Sequence, residues 1–153
     1  MSVALLDVNV LIALFDANHT SHEAAHRWFG RNRKRGWATC AITINGCTRV
    51  MSSPAYPSFD TTPSEVVSRL RTLCASRDHH FWARSVSLLD GELFRPTLIK
   101  GHQKITDIYM LGLAVHHNGA LATFDRSISL NAVIGARSEH LQVLSAEPGG
   151  EGG

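Results

Sequence analysis

The stretch ITDIYMLGLAVHHNGALATFDR, residues 105–126, decides how this chain folds. Thr106 and Asp107 are typical of a helix start, because a threonine hydroxyl accepts from free N–H groups and an acidic side chain favours the positive end of the helix dipole. Residues 108–115 are apolar but for one glycine, and residues 116–119, HHNG, are typical of a helix end. Since a helix that is apolar on every side is a buried one, the pattern predicts a buried helix.

A short strand is predicted directly after this helix. Residues 120–124 read ALATF, and Asp125 follows them. A carboxylate at the helix start and a second one at the strand end are not needed for stability. We therefore interpret Asp107 and Asp125 as parts of a functional site.

A third carboxylate, Asp7, follows the apolar run at residues 3–6, which predicts a buried strand of a parallel sheet. A helix is predicted next, over residues 10–15, with Asn9 at the junction. Ligands of open parallel sheets bind outside the carboxyl ends of the strands, so Asp7 lies where chemistry is expected. A plain helix-capping role for Asp7 is the alternative.

These three carboxylates converge if the first strand neighbours the strand before Asp125. Convergent carboxylates repel one another and are normally neutralised by a cation, and oxygen ligands suit Mg²⁺ or Mn²⁺. A bound divalent ion can activate water and stabilise charge on a phosphodiester. The sequence contains neither GxxxxGK[ST] nor GxGxxG, so nucleotide triphosphate hydrolysis and dinucleotide chemistry are poorly supported.

The remaining segments alternate between helices and short strands, which favours an α/β three-layer sandwich. Helices are predicted over residues 21–34, 43–51 and 88–94 and from residue 63 onward, and strands over residues 37–40, 79–82 and 141–144, with a loop at 52–62. We assign one domain to residues 1–146 and a flexible tail to residues 147–153.

Composition indicates a globular protein rather than a disordered one. The chain has 153 residues, of which 44% are hydrophobic and 18% charged, and its net charge of +2 permits an anionic partner without requiring one. No segment approaches the length of a membrane span, and no signal peptide is evident. Three cysteines without CxxC spacing fit a reducing compartment, so we expect a cytoplasmic protein.

Two groups of residues leave alternatives open. The basic run is either a solvated helix face or a nucleic-acid patch; it comprises Arg27, Arg31, Arg33, Lys34 and Arg35. The histidines are either structural or ligands of a zinc site, which needs three or four converging side chains. The three tryptophans are expected in the core, although one exposed ring could stack on an RNA base.

Three segments together resemble a known family: DVNVLIALFD at residues 7–16, TINGCTRV at 43–50, and the stretch from 101 to 126. They resemble the PIN-domain toxins of toxin–antitoxin operons, the VapC ribonucleases, and especially the subset common in mycobacteria. The resemblance covers residues 3–144. It implies a PIN-type three-layer α/β/α sandwich with a short, mainly parallel sheet.

The resemblance also implies an activity and partners. The implied activity is Mg²⁺-dependent endoribonuclease cleavage of structured RNA, either tRNA or ribosomal RNA, with Mn²⁺ as a substitute ion. The implied partners are a cognate VapB-type antitoxin, which holds the enzyme inactive, and a second copy of the chain in a homodimer.

Residue by residue, Asp7 matches the family's first metal-binding aspartate, Asp107 its third acidic position and Asp125 its fourth. All three are thereby expected to be catalytic, with Asp7 and Asp107 as metal ligands. Thr123 is expected beside them. Asn9 and Thr106 are further candidates near the site.

The chain departs from the family at the second acidic position. The family generally has a glutamate there, in a pattern like IT-x-x-E, whereas this chain has Gly46 preceded by Asn45. An amide oxygen of Asn45 could bind a cation but carries no charge. We therefore expect one weakly bound ion. We expect Gly46→Glu to tighten its binding if the new side chain points inward, and to leave the fold unharmed unless another backbone packs closely there.

Two other functions are compatible with the sequence. One is an RNA- or protein-binding PIN module with weak or no catalysis, which the missing glutamate favours. The other is a phosphatase-like hydrolase of small molecules. Incubation with RNA and Mg²⁺, with and without EDTA, separates cleavage from binding alone.

Overall fold

The computed structural model describes residues 2–57 and 60–145. The predicted tail and the last residue of the predicted domain lie outside the described residues. The strands are β1 (Ala4–Leu6), β2 (Trp37–Thr39), β3 (His79–Phe81), β4 (Ala120–Thr123) and β5 (Leu141–Val143). The helices are α1 (Val8–Phe15), α2 (His22–Asn32), α3 (Ala41–Met51), α4 (Pro63–Cys74) and α5 (Ile105–His116).

The five strands form one sheet in the order β3-β2-β1-β4-β5, and each neighbouring pair is parallel. β1 and β4 lie side by side, with Leu6 opposite Ala122. The residues that follow these two strands therefore meet at the carboxyl edge of the sheet, as the sequence predicts.

Side chains that alternate along the strands divide the core into two layers. Leu6 and Ala122 face a cluster that includes buried residues of α1, α2, α3 and α4. Leu5 and Leu121 face the other cluster, which contains α5. The predicted three-layer α/β/α architecture is confirmed, and the sheet is parallel throughout.

Helix α5 is buried, as its apolar composition predicts. Six of its residues, 108 and 110–114, are buried against the sheet and the segments that cover it. Gly112 is the single interruption of its apolar run, and the reason is steric. A Cβ at this position would lie 2.3 Å from Cζ of Phe94, so the missing side chain makes room for that ring.

The helix predicted over residues 88–94 is wrong. These residues form turns, and Leu89 is 95% exposed. Phe94 instead makes an antiparallel bridge with Val133, and the amide of Ile134 donates to the carbonyl of Leu93 at 2.8 Å. Pairing with a segment distant in sequence overrides the local apolar pattern, and Pro96 opens only a single 3₁₀ turn.

Three helix starts differ from their predictions. Helix α1 starts at Val8 rather than at residue 10, and α3 starts at Ala41 rather than at Thr43. Thr43 does contribute to the start of α3, since its Oγ1 accepts from the amide of Cys40 at 3.0 Å. Thr106 does not cap α5, because the helix already begins at Ile105 and Lys104 occupies the cap position.

The described residues contain no helix with the length and apolar character needed to cross a membrane. Trp37 and Trp82 are buried, and Trp28 is partly buried against the core. The tryptophans are therefore core residues, as the sequence predicts.

Candidate active site

Asp7 is fixed at the carboxyl end of β1 by hydrogen bonds to both of its oxygens. Its Oδ1 accepts from the amide of Val8 at 2.7 Å, which makes Asp7 the N-cap of α1. Its Oδ2 accepts from the hydroxyl of Thr123 at 2.7 Å. Asp7 therefore caps α1 and also lies in the candidate site. Burial raises the pKa of Asp7, and these two hydrogen bonds oppose the rise.

Thr123 joins the ends of the two central strands. It is the last residue of β4 and is fully buried. Besides donating to Asp7, its Oγ1 accepts from the amide of Asp125 at 3.0 Å and from Nδ2 of Asn9 at 3.4 Å. The Oδ1 of Asn9 accepts in turn from the amide of Phe124, also at 3.4 Å. Thr123 and Asn9 thus connect the residues after β4 to the start of α1 beside Asp7.

Asp125 lies in the turn after β4, where a neighbouring serine holds its carboxylate. Its Oδ1 accepts from the hydroxyl of Ser127 at 2.6 Å and from the amide of Ser127 at 2.8 Å. These bonds lower the pKa of Asp125 below its usual value, against an opposing effect of burial. Asp125 is therefore ionised at neutral pH.

Asp107 lies in the first turn of α5 and is partly buried. Burial, followed by the charges of Asp7 and Asp125, raises the pKa of Asp107 to about 6, while Lys104 opposes the rise. Its carboxyl group also shares a hydrogen bond with Asp125. The structure thus brings Asp7, Asp107 and Asp125 within electrostatic range of one another, and we call these three residues the acidic cluster.

The acidic cluster has the donor chemistry that Mg²⁺ prefers, and its repulsion is what a cation would relieve. Within residues 2–57 and 60–145, no three His, Cys, Asp or Glu side chains form a group able to hold one ion, and the acidic cluster is no exception. Mg²⁺ does not require three such ligands, because it keeps several waters and is commonly held by one or two carboxylates and a substrate phosphate. The residues present therefore fit such an ion.

Two candidate residues take no part in the hydrogen bonds that hold the acidic cluster. The side chains of Asn45 and Thr106 are exposed, and neither makes a hydrogen bond to the acidic cluster in the part of the chain that the structure describes.

Gly46, which occupies the slot of the second acidic residue, is buried on α3. A Cβ at this position would lie 2.7 Å from Cγ2 of Val8, the residue next to Asp7. The expectation that Gly46→Glu leaves the fold unharmed is therefore wrong. The side chain of Val8 takes the space that a glutamate needs.

Three of the histidines considered as possible zinc ligands have structural partners. His22 Nδ1 lies 2.7 Å from the carbonyl oxygen of Ala13, and His26 Nε2 lies 2.8 Å from that of Leu14. The ring of His117 stacks on Trp82 with a centroid distance of 4.3 Å. These contacts give His22, His26 and His117 structural roles.

The basic run ends at the opposite edge of the sheet from the acidic cluster. Arg33–Arg35 form a turn just before β2, at its amino end. The Nε of Arg33 lies 3.8 Å from Oδ2 of Asp78, and its guanidinium lies over the ring of Phe29. Arg33–Arg35 therefore do not line the acidic cluster.

Sequence reasoning missed two residues of the site, Lys104 and Ser127. Lys104 Nζ donates to the hydroxyl of Ser127, which donates to Asp125. The D-x-S spacing of Asp125 and Ser127 was a usable signal, because a carboxylate commonly accepts from the amide two residues later. Nothing local in the sequence links Lys104 to Ser127, which lies 23 positions away.

The raised pKa of Asp107 predicts how pH affects the stability of the metal-free protein. A folded-state pKa near 6, above the ordinary value of 3.8, means that the contribution of this group to stability is fully present below pH 4 and is lost as pH rises through 6. Asparagine does not ionise, so the Asp107→Asn protein does not lose this contribution as pH rises. In EDTA at pH 7, its free energy of unfolding should exceed that of the wild type by on the order of 1 kcal/mol, a figure discounted for solvent screening.

Urea unfolding at pH 4 and pH 7 measures this effect. The difference between the two proteins should nearly vanish at pH 4, where Asp107 is neutral in the folded protein. An equal difference at both pH values would mean that the repulsion within the acidic cluster is not its cause.

Comparison with known proteins agrees with the fold. The family described as PIN domain matches residues 4–133. Ribonuclease VapC44 of Mycobacterium tuberculosis is 45% identical over 141 residues, covering 92% of this chain and 99% of the relative. Ribonuclease VapC39 of the same organism is 38% identical over 132 residues, covering 86% and 95%. The chain therefore belongs to the PIN-domain family and, within it, to the VapC ribonucleases.

Proposed function

We propose that this chain is the toxin of a type II toxin–antitoxin system, an endoribonuclease that hydrolyses phosphodiester bonds of structured RNA with Mg²⁺ as its cofactor. Membership of the VapC ribonucleases supports the class of reaction. The single structural observation that carries the proposal is the acidic cluster at the carboxyl edge of the sheet.

The residues of the site prepare it for a cation and a phosphate. Val8 and Thr123 fix both oxygens of Asp7, so its orientation is set before anything binds. Asp125 is held ionised by Ser127. Asp107, with a pKa near 6, is mostly ionised at neutral pH and can hold a proton on its carboxyl group in mildly acidic solution.

When bound, Mg²⁺ would supply stabilisation of charge on the phosphate and a water of lowered pKa. We propose Asp7 and Asp107 as its ligands, with Asp125 acting directly or through a water. Mn²⁺ is the expected substitute, because it also prefers oxygen ligands. Burial raises the pKa of both Asp7 and Asp107, and the charge of Asp125 raises both further, so a cation that relieves this cost supports the assignment.

The substrate we propose is tRNA or ribosomal RNA. Proteins that read RNA by sequence target unstacked bases in loops, which these folded RNAs present. The acidic cluster itself carries no base-reading group, so the choice of loop must come from the surrounding surface.

Membership of this family implies a VapB-type antitoxin as partner. We propose that a helix of the antitoxin covers the groove between α1 and α4, which has a volume of about 410 Å³ and is lined by Leu14, Phe15, Ser68, Arg69, Thr72 and Leu73. A basic side chain of the antitoxin would then reach the acidic cluster, since a guanidinium binds carboxylates in bidentate fashion. We also propose a homodimer and a cytoplasmic location.

Cleavage of purified RNA tests the proposed function. We expect discrete fragments from total RNA in the presence of Mg²⁺ and none in EDTA, because the acidic cluster needs a cation. Restoring excess Mg²⁺ to the EDTA sample should restore the fragments. Binding of RNA without cleavage at any Mg²⁺ concentration would instead favour a binding module. Mapping the fragment ends identifies the RNA.

A further inference from the structure

Lys104, Ser127 and Asp125 form a continuous set of hydrogen bonds at the open side of the acidic cluster. The ammonium group of Lys104 donates to Oγ of Ser127. That hydroxyl donates to Oδ1 of Asp125 at 2.6 Å, and the amide of Ser127 donates to the same oxygen at 2.8 Å. The hydroxyl of Ser127 thus accepts from Lys104 and gives its one proton to Asp125. We call these three residues the lysine relay.

The lysine relay connects to Asp7 through the protein interior. The amide of Asp125 donates to Oγ1 of Thr123, and this hydroxyl donates to Oδ2 of Asp7. The two ends of this path differ in exposure. Thr123 is fully buried, whereas Ser127 is exposed and Lys104 is partly buried. The buried end is held by packing, and the exposed end is held by the lysine relay together with the hydrogen bond that Asp125 shares with Asp107.

Asp125 needs such support because of its place in the fold. It lies in the turn after β4 rather than in a strand or helix, and it faces the like charges of Asp7 and Asp107. Repulsion from these two carboxylates favours rotation of the Asp125 side chain into solvent. Two hydrogen bonds on one oxygen, with a cation behind one of the donors, oppose that rotation, since charge-assisted hydrogen bonds are stronger than neutral ones.

We infer that Lys104 and Ser127 are positioning residues that hold Asp125 in a single orientation toward the acidic cluster, with Lys104 acting through the hydroxyl of Ser127. This inference rests on the proposed function for its effect on catalysis, but the orientation of Asp125 is a property of the metal-free protein alone.

The first test is the side-chain orientation of Asp125, measured by NMR three-bond couplings about its Cα–Cβ bond in EDTA. The wild type should show one rotamer. Ser127→Ala and Lys104→Met should show averaged couplings, whereas Ser127→Thr and Lys104→Arg, which keep the donors, should retain one rotamer. The controls are Ser129→Ala and Lys100→Met, two exposed side chains outside the lysine relay, and neither should change the couplings of Asp125.

The second test is kinetic. Loss of one charge-assisted hydrogen bond should lower kcat of Ser127→Ala and Lys104→Met by roughly tenfold, with KM changed by less than about threefold. Because Lys104 acts through Ser127, the double variant should be no slower than the slower single variant. Multiplied effects in the double variant would show that Lys104 acts independently and would overturn the inference.

The two readouts separate this inference from the proposed function. A single Asp125 rotamer in both Ser127→Ala and Lys104→Met overturns the lysine relay even if every variant cleaves RNA. Failure of the wild type to cleave RNA overturns the proposed function. The NMR couplings of Asp125 then test the inference on their own, because they are measured in the metal-free protein.

Discussion

Asp7→Asn should abolish RNA cleavage, with a loss of at least about 100-fold in rate, while the protein remains folded. The loss should be this large because Asp7 is a proposed metal ligand. Changes to groups that only support a metal ligand already cost roughly 10–100-fold in metal affinity or activity. The fold should survive because the amide oxygen still accepts from Val8. The new Nδ2 can donate to Oγ1 of Thr123 in place of the 3.4 Å bond from Asn9, and the hydroxyl proton of Thr123 then turns away.

The matched control for this substitution is Asp60→Asn, which removes an exposed carboxylate outside the acidic cluster. It should cleave RNA at the wild-type rate. Circular dichroism and the midpoint of urea unfolding should be near wild type for both variants. Wild-type cleavage by folded Asp7→Asn would remove Asp7 from the site.

Gly46→Glu should destabilise the protein by about 1–3 kcal/mol, the usual range for added atoms in a well-packed region. The cause is the 2.7 Å approach of the new Cβ to Cγ2 of Val8. Val8 is β-branched and lies at the first position of α1, so few alternative rotamers are open to its side chain. Gly46→Ala should already show much of the loss, because the clash involves the Cβ itself.

Val8→Ala removes the clashing methyl group and supplies the rescue. In the Val8→Ala background, Gly46→Glu should cost markedly less stability than it does in the wild type, and it should tighten Mn²⁺ binding as measured by calorimetry. Equal destabilisation in both backgrounds would mean that Val8 is not the obstacle. A folded double variant with unchanged Mn²⁺ affinity would mean that position 46 is not the family's second acidic position.

The sheet and the acidic cluster could be predicted because their signals are local. Short apolar runs that end in Asp7 and in Asp125 mark β1 and β4, and parallel strands place their carboxyl ends at one edge. The buried helix α5 follows from its apolar composition alone. The approach of Asp107 to this edge then follows from the connection between α5 and β4.

The remaining features depend on contacts between distant segments. Residues 88–94 have an apolar pattern that suits a helix, but pairing of Phe94 with Val133 fixes another conformation. Gly46 occupies the slot of an acidic residue, and only the packing of α3 on α1 reveals Val8 against it. The contact of Lys104 with Ser127 likewise joins the 3₁₀ turn before α5 to the turn after β4, so no local spacing predicts it.

The central claim is that Asp7 and Asp107 bind a catalytic divalent ion. Anomalous diffraction from crystals of this protein grown with Mn²⁺ tests it most directly. We expect one strong peak at the carboxyl edge of the sheet, about 2.1 Å from an oxygen of Asp7 and an oxygen of Asp107, since Mn²⁺ is expected at close to the ligand distance of Mg²⁺. A map with no peak at the acidic cluster, or with its main peak at histidines elsewhere, would contradict the claim.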